Sequence, residues 1–75
     1  MIDIKKNRYP DNPFVVRRLA AGLYQEDVAA ALGVDRSAVA QWETGRAKPT
    51  FDNLVALAKL YGCAMEEFID KEESA

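Results

Sequence analysis

The sequence contains no histidine and a single cysteine, Cys63. Without histidine, no side chain has an ordinary pKa near neutrality, and the usual proton shuttle of acid–base catalysis is missing. A lone cysteine cannot close an intramolecular disulfide, which fits a reducing compartment. With no histidine beside it, it assembles neither a zinc site nor a Cys–His nucleophile. There is no glycine-rich phosphate loop, and no apolar run approaches the ~20 residues of a membrane span. The opening Met1-Ile2-Asp3-Ile4-Lys5-Lys6 does not read as a signal peptide. Four glycines and three prolines in 75 residues are too few for a fibrous or disordered chain. The expectation is a cytoplasmic binding protein without metal or cofactor and with no membrane association. It is not expected to be an enzyme, since turnover would need a second chain to supply the reacting groups.

What the chain does have is an ordinary globular composition, 49% hydrophobic and 29% charged, enough for one small domain. The net charge of −2 argues weakly against nucleic acid. Its distribution reverses that reading. Lys5, Lys6, Arg8, Arg17 and Arg18 outweigh Asp3 and Asp11 at the start, and Arg36, Arg46 and Lys48 outweigh Asp35 and Glu43 in the middle. From residue 51 onward Lys59 and Lys71 face six acids, so the negative charge gathers at the end. A surface that meets DNA is expected within the first two thirds.

The periodicity is helical almost throughout. Asn12-Pro13 predicts a helix start, with Asn as N-cap and Pro at the first helical position. The first helix then runs from Phe14 to Ala21 and ends at Gly22. A second covers Gln25 to Leu32 and stops at Gly33, its first turn carrying Glu26 and Asp27 where negative charge suits the macrodipole. Asp35 is the expected N-cap of a third helix, Arg36 to Glu43. Thr50 caps a fourth, Phe51 to Tyr61, on which Leu54, Leu57, Ala58 and Tyr61 form a stripe. A short fifth helix is expected at Met65 to Ile69. The chain divides into an N-terminal arm (1–11), a helical domain (12–69) and an acidic tail (70–75).

The most informative stretch is Gln25 to Glu43, QEDVAAALGVDRSAVAQWE. Two short helices meet at a turn that contains Gly33, with small Ala29 letting the second helix approach the first. Val28, Leu32, Val34, Val39 and Trp42 are spaced to bury the junction. Arg36, Ser37, Ala40 and Gln41 are left on the opposite side of the third helix. Trp42 is expected in the core, and Cys63 as a small buried apolar residue.

From about Phe14 to Phe68 the chain resembles the Cro/repressor-type (XRE-like) helix-turn-helix DNA-binding domains. The resemblance rests on GLYQEDVAAALGVDRSAVAQWETGRAKPT followed by LVALAKLYG: the Gln opening the second helix, the spaced Ala and Gly, the W-E-x-G-x-x-K-P turn and the Leu-rich fourth helix. It implies an all-α, compact five-helix, lambda-repressor-like fold whose third helix enters the major groove, usually in a dimeric transcriptional regulator. Carried over, it makes Arg36, Ser37 and Gln41 the base readers, with Ala40 against a thymine methyl. The chemistry agrees, since Arg pairs bidentately with guanine, Gln with adenine and Ser with either. Gln25, Thr44, Arg46 and Lys48 fall at phosphate-contacting positions, where they dock the protein without choosing sequence. Arg18 aligns with an arginine that braces the Glu of W-E, here Glu43.

Two departures from that pattern stand out. Tyr24 replaces the usual Ser or Thr cap before Gln25, its hydroxyl placed to reach a phosphate or its ring to cover the helix end. Ala64 replaces the cap of the fifth helix, making that helix marginal. The first helix is also in conflict with itself: the brace turns Phe14 and Arg18 inward, whereas periodicity favours Val16, Leu19, Ala20 and Leu23 as the buried stripe. The basic arm is open to three readings: a solubilising tail, a reach to backbone or minor groove, or an interprotomer clasp through Ile2 and Ile4. The tail is a solvated end or a device that repels non-specific DNA.

The function expected is a sequence-specific regulator, a repressor, acting as a homodimer on a near-palindromic site in double-stranded DNA. The alternative is an antitoxin or accessory subunit that mainly binds a protein partner, a toxin or regulator, with DNA secondary.

Overall fold

Asn12 begins the first helix as its chemistry requires. In the computed structural model, which describes residues 12–69, its side-chain oxygen accepts from the amides of Phe14 (3.1 Å) and Val15 (3.4 Å). Pro13, lacking an amide to satisfy, opens helix α1, Pro13–Ala20. Three more helices follow: α2, Gln25–Leu32, α3, Arg36–Thr44, and α4, Phe51–Tyr61. Thr50 caps α4, its hydroxyl accepting from the Asn53 amide at 3.2 Å. The arm with Ile2, Ile4, Lys5, Lys6 and Arg8 and the tail from Asp70 onward lie outside the described residues. Among those described there is no strand, and no helix is long and apolar enough to cross a membrane.

Three local expectations need correction. The fifth helix is not an α-helix: Met65–Phe68 forms a single 3-10 turn, so α-helices number four among the described residues. Ala64 has no side-chain acceptor for the first amides, and Ile69 is already extended, so too few residues remain to offset the cost of nucleating an α-helix. Asp35 holds the N-cap position of α3 but makes no side-chain cap bond; the Ala38 amide is taken by the Asp35 backbone oxygen instead. The cap of α1 is Ala21, with Gly22 one position beyond it.

The core forms where α2, α3 and α4 meet. Val28, Val39 and Leu57 are fully enclosed, with Ala29, Trp42, Ala58 and Phe68 around them. Ala29 leaves the room that the crossing of α2 and α3 needs, and Gly33 supplies the left-handed turn (φ 72°) at the end of α2. The 3-10 turn contributes Phe68, whose ring stacks on Phe14 with centroids 4.8 Å apart and meets Tyr61 edge-on at 6.1 Å. This aromatic trio ties both ends of the described segment together, each pair worth about 0.5–1.5 kcal/mol beyond burial. Cys63 is half-buried against the same core, and burial pushes its thiol pKa up.

The structure resolves the conflict in α1 against the periodic stripe. Val15 is buried, and Phe14 and Arg18 face the body of the protein. Val16 (41% exposed), Leu19 (52%) and Ala20 stand outward instead, while Leu23 is half-buried. At about 100° per residue, one helix cannot turn both sets inward. The Arg18–Glu43 pair and the Phe14–Phe68 stack set the rotation, because a buried charge without its partner costs more than two exposed aliphatic side chains.

Candidate nucleic-acid interface

Helix α3 divides sharply between its two faces. Val39, Trp42 and Glu43 are buried beneath it, while Arg36, Ser37 and Gln41 are exposed and Ala40 is half-buried. This is the split that helical spacing dictates once Val39 and Trp42 enter the core. The helix runs one residue past its expected end, through Thr44, and Gly45 (φ 82°) stops it. The chain then folds back. The Gln41 carbonyl accepts from the amides of Arg46 (2.9 Å) and Ala47 (3.3 Å) and from the Thr44 hydroxyl (3.2 Å). That turn leaves Arg46 and Lys48 exposed just beyond the outward side chains of α3.

Behind this face lies a hydrogen-bonded relay across three helices. Arg18 of α1 grips Glu43 with two bonds, Nε to Oε2 at 2.6 Å and Nη2 to Oε1 at 3.2 Å. Its Nη1 donates to the Leu23 carbonyl at 2.9 Å. Gln25, the first residue of α2, donates from Nε2 to Glu43 Oε1 at 2.9 Å. The other end of the same amide, Oε1, accepts from Arg36 Nη1 at 3.0 Å. The Glu43 backbone carbonyl is taken by the Asn12 side-chain amide at 2.6 Å. Glu43 is therefore a buried carboxylate with a satisfied shell, the condition under which burying a charge is tolerable.

The remaining residues singled out from the sequence lie close by in the chain. Tyr24 is exposed and makes no side-chain cap bond; Asp27 supplies the reciprocal half of a capping arrangement, its carboxylate accepting from the Tyr24 amide at 2.8 Å. Tyr61 is half-buried; burial first, and then the negative charge of Glu43, push its hydroxyl up to about 12, against a smaller opposing effect of Arg18. Sequence reasoning did not anticipate the inward bond of Gln25 to Glu43, the Asn12 side-chain bond to Glu43, or the exposed Arg17–Glu67 pair (2.7 Å). The first had a signal, since Gln25 opens a helix next to the position that Arg18 and Glu43 share. The last had none, because its partners lie fifty positions apart.

The comparisons agree with this geometry. The helix-turn-helix family profile matches residues 16–68, from α1 to the aromatic residue of the 3-10 turn. HTH-type transcriptional activator BcrR of Enterococcus faecalis is 32% identical over 56 residues, which is 75% of this chain and 28% of that protein. This chain thus spans little more than a quarter of that relative's length. No solved structure matches it. With the profile covering most of the chain and the two helices, turn and buried junction in place, the chain belongs to the XRE-type helix-turn-helix family.

Proposed function

We propose that this domain is a sequence-specific DNA-binding transcriptional regulator that lays α3 in the major groove of a near-palindromic operator. One observation carries the reading: Arg36, Ser37 and Gln41 are exposed on a helix whose opposite face is locked into the core. In the groove Arg36 reads guanine, Gln41 adenine and Ser37 either, with Ala40 against a thymine methyl. Gln25, Tyr24, Thr44, Arg46 and Lys48 take phosphates, which sets register and salt dependence. The reading keeps residues 12–69 as the DNA-binding domain between arm (1–11) and tail (70–75), in the cytoplasm where the DNA is.

Repression is the regulatory mode that occupancy alone achieves, because a protein seated in the groove blocks whatever else must bind there. The activator among the relatives is named for its own activity, and the sign here is read from a reporter carrying the selected operator. The same reading takes the protein as a homodimer. One short helix touches too few base pairs to choose a site, and Val16, Leu19 and Ile69 offer exposed apolar surface. Two-fold symmetry sets half-sites about 10 bp apart.

The test is selection from a random duplex library at stated, near-physiological salt. An enriched palindrome with half-sites about 10 bp apart supports the regulator and its dimer. No enrichment from folded, monodisperse protein transfers the reading to an antitoxin or accessory subunit that binds a protein, which the same exposed aliphatic residues would serve.

A further inference from the structure

We infer that Asn12 is a positioning residue for the phosphate contacts: its side-chain amide pins the last turn of α3 and so sets where the following turn, with Arg46 and Lys48, meets the DNA backbone. The role rests on the DNA-binding reading above and deepens it. As the cap of α1, Asn12 needs only its side-chain oxygen, and a serine would serve that end as well. The NH2 group is the part that capping leaves unexplained.

Both ends of that amide are committed. Oδ1 accepts from the amides of Phe14 (3.1 Å) and Val15 (3.4 Å), and Nδ2 donates to the Glu43 carbonyl at 2.6 Å. Half a turn of the amide would set oxygen against oxygen at Glu43 and NH2 against two N–H groups, so a single orientation survives. The acceptor lies 31 positions away on α3. It is among the last four carbonyls of that helix, which have no partner within it. Holding it fixes the planar peptide that joins Glu43 to Thr44, and with it the direction in which the chain leaves α3.

Packing does less to fix the turn beyond. Gly45, Ala47, Lys48 and Pro49 border a cavity of about 330 Å³ whose other walls include Phe14 and Leu54, so part of the turn's inner side has no atoms against it. Hydrogen bonds hold its start instead. The Gln41 carbonyl takes the amides of Arg46 and Ala47, the Trp42 carbonyl takes that of Gly45, and Asn12 completes the set at Glu43. Arg46 and Lys48 are exposed on this turn. A backbone placed in advance of docking gives up less freedom when its side chains meet phosphates. Asn12 thereby acts on salt-dependent affinity without touching DNA, while base choice rests with the outward side chains of α3.

The experiment measures affinity for random and selected duplexes across a salt series, with amide hydrogen exchange in the free protein. It compares the wild type, Asn12→Ser, Arg46→Ala combined with Lys48→Ala, and all three changes together. Ser keeps an oxygen to cap α1 but carries no group that reaches Glu43. If that variant does not fold, Asn12→Asp replaces it, an equal cap that sets an acceptor where the donor stood. The expected result is a several-fold weakening on random and selected duplexes alike, with the slope of log affinity against log salt lower by about one and every base preference kept. The Arg46 and Ala47 amides exchange faster, and Asn12→Ser adds nothing to the slope once Arg46 and Lys48 are both alanine. Unchanged slope and affinity in the folded variant, whatever its melting temperature, overturns the positioning role and leaves Asn12 a cap with a structural bond. A change of preferred base overturns it too, since the disturbance then reaches the base-reading side chains. Failure of the wild type to bind any duplex instead overturns the DNA-binding reading itself, and this role with it.

Discussion

The Arg36 guanidinium lies 3.0 Å from the side-chain oxygen of Gln25, eleven positions earlier in the chain, so the first residues of α2 and α3 are bonded across the turn between them. This places the strongest hydrogen-bond donor of the exposed face of α3 at the end that meets α2, rather than at the end where Arg46 and Lys48 follow. Replacing Arg36 by Ala is expected to cost about 1–3 kcal/mol of affinity for the selected operator and to relax preference at one base pair. Titration of the operator and of single-base variants checks this. Unchanged affinity and site would mean that a different part of α3 faces the bases.

Arg46 and Lys48 should behave differently. Each Ala variant is expected to weaken specific and random duplexes alike and to lower the slope of log affinity against log salt by about one. Fluorescence anisotropy across a salt series measures it. A variant that changed the preferred sequence instead would belong among the base readers.

Two arginines adjacent in sequence differ in stability. The Arg18–Glu43 side chains are 12% and 6% exposed, whereas Arg17 and Glu67 are 38% and 37% exposed. Arg18→Gln leaves a buried carboxylate short of its partner and is expected to cost about 3–5 kcal/mol. Arg17→Gln should leave the melting temperature nearly unchanged, since water and salt already screen that pair. Thermal melts of both variants decide the matter. Equal effects would mean that α1 is not oriented by its buried pair.

How much of this was legible beforehand depended on the range of the interaction. Gly33 and Thr50 act within a few residues, and the helices that they delimit, α2 and α4, have the limits read from sequence. The rotation of α1 was a competition between a local period and a partner 25 positions away, and period alone chose the wrong face. The Met65–Phe68 turn was legible in part: its apolar residues suited an α-helix, while the missing cap at Ala64, visible in the sequence, left it a single 3-10 turn. At the candidate site, the exposed residues of α3 followed from the helical period. Of the relay, the Arg18–Glu43 brace followed from the family resemblance; the Gln25 bonds did not, because the two hydrogen-bonding ends of that side chain go to partners on one helix that are set by tertiary contact.

The caps offer a graded comparison. Thr50→Ala removes one bond to the Asn53 amide and is expected to cost about 1 kcal/mol. Asn12→Ala removes a cap and also the donor to the Glu43 carbonyl, so its cost should be larger, by about 1–3 kcal/mol for a buried acceptor left unpaired. Urea denaturation orders the two. The reverse ranking would mean that the Asn12 bond to α3 is dispensable.

Alkaline pH probes Tyr61. Its hydroxyl titrates near 12 in the fold against about 10 in an unfolded chain. Between those values the folded state holds a proton that the unfolded state has released. Tyr61 thus contributes fully below about pH 10, and its contribution is lost as pH rises toward 12. Comparing urea midpoints of the wild type and Tyr61→Phe from pH 9 upward isolates the effect, with the variant expected to lose less stability across that interval.

The Phe14–Phe68 stack and the Arg17–Glu67 pair, whose partners are 54 and 50 positions apart, also bear on how the chain folds. Contacts between α2 and α3 close only a short loop and can form early, whereas joining α1 to the 3-10 turn waits on the slower closure of nearly the whole described segment. Amides of α1 should therefore exchange with solvent before those of α2 and α3, in a partial opening that releases Arg18 from Glu43 while the helix-turn-helix stays assembled. The grip of α1 on α3 would then be the first part of the fold to fluctuate.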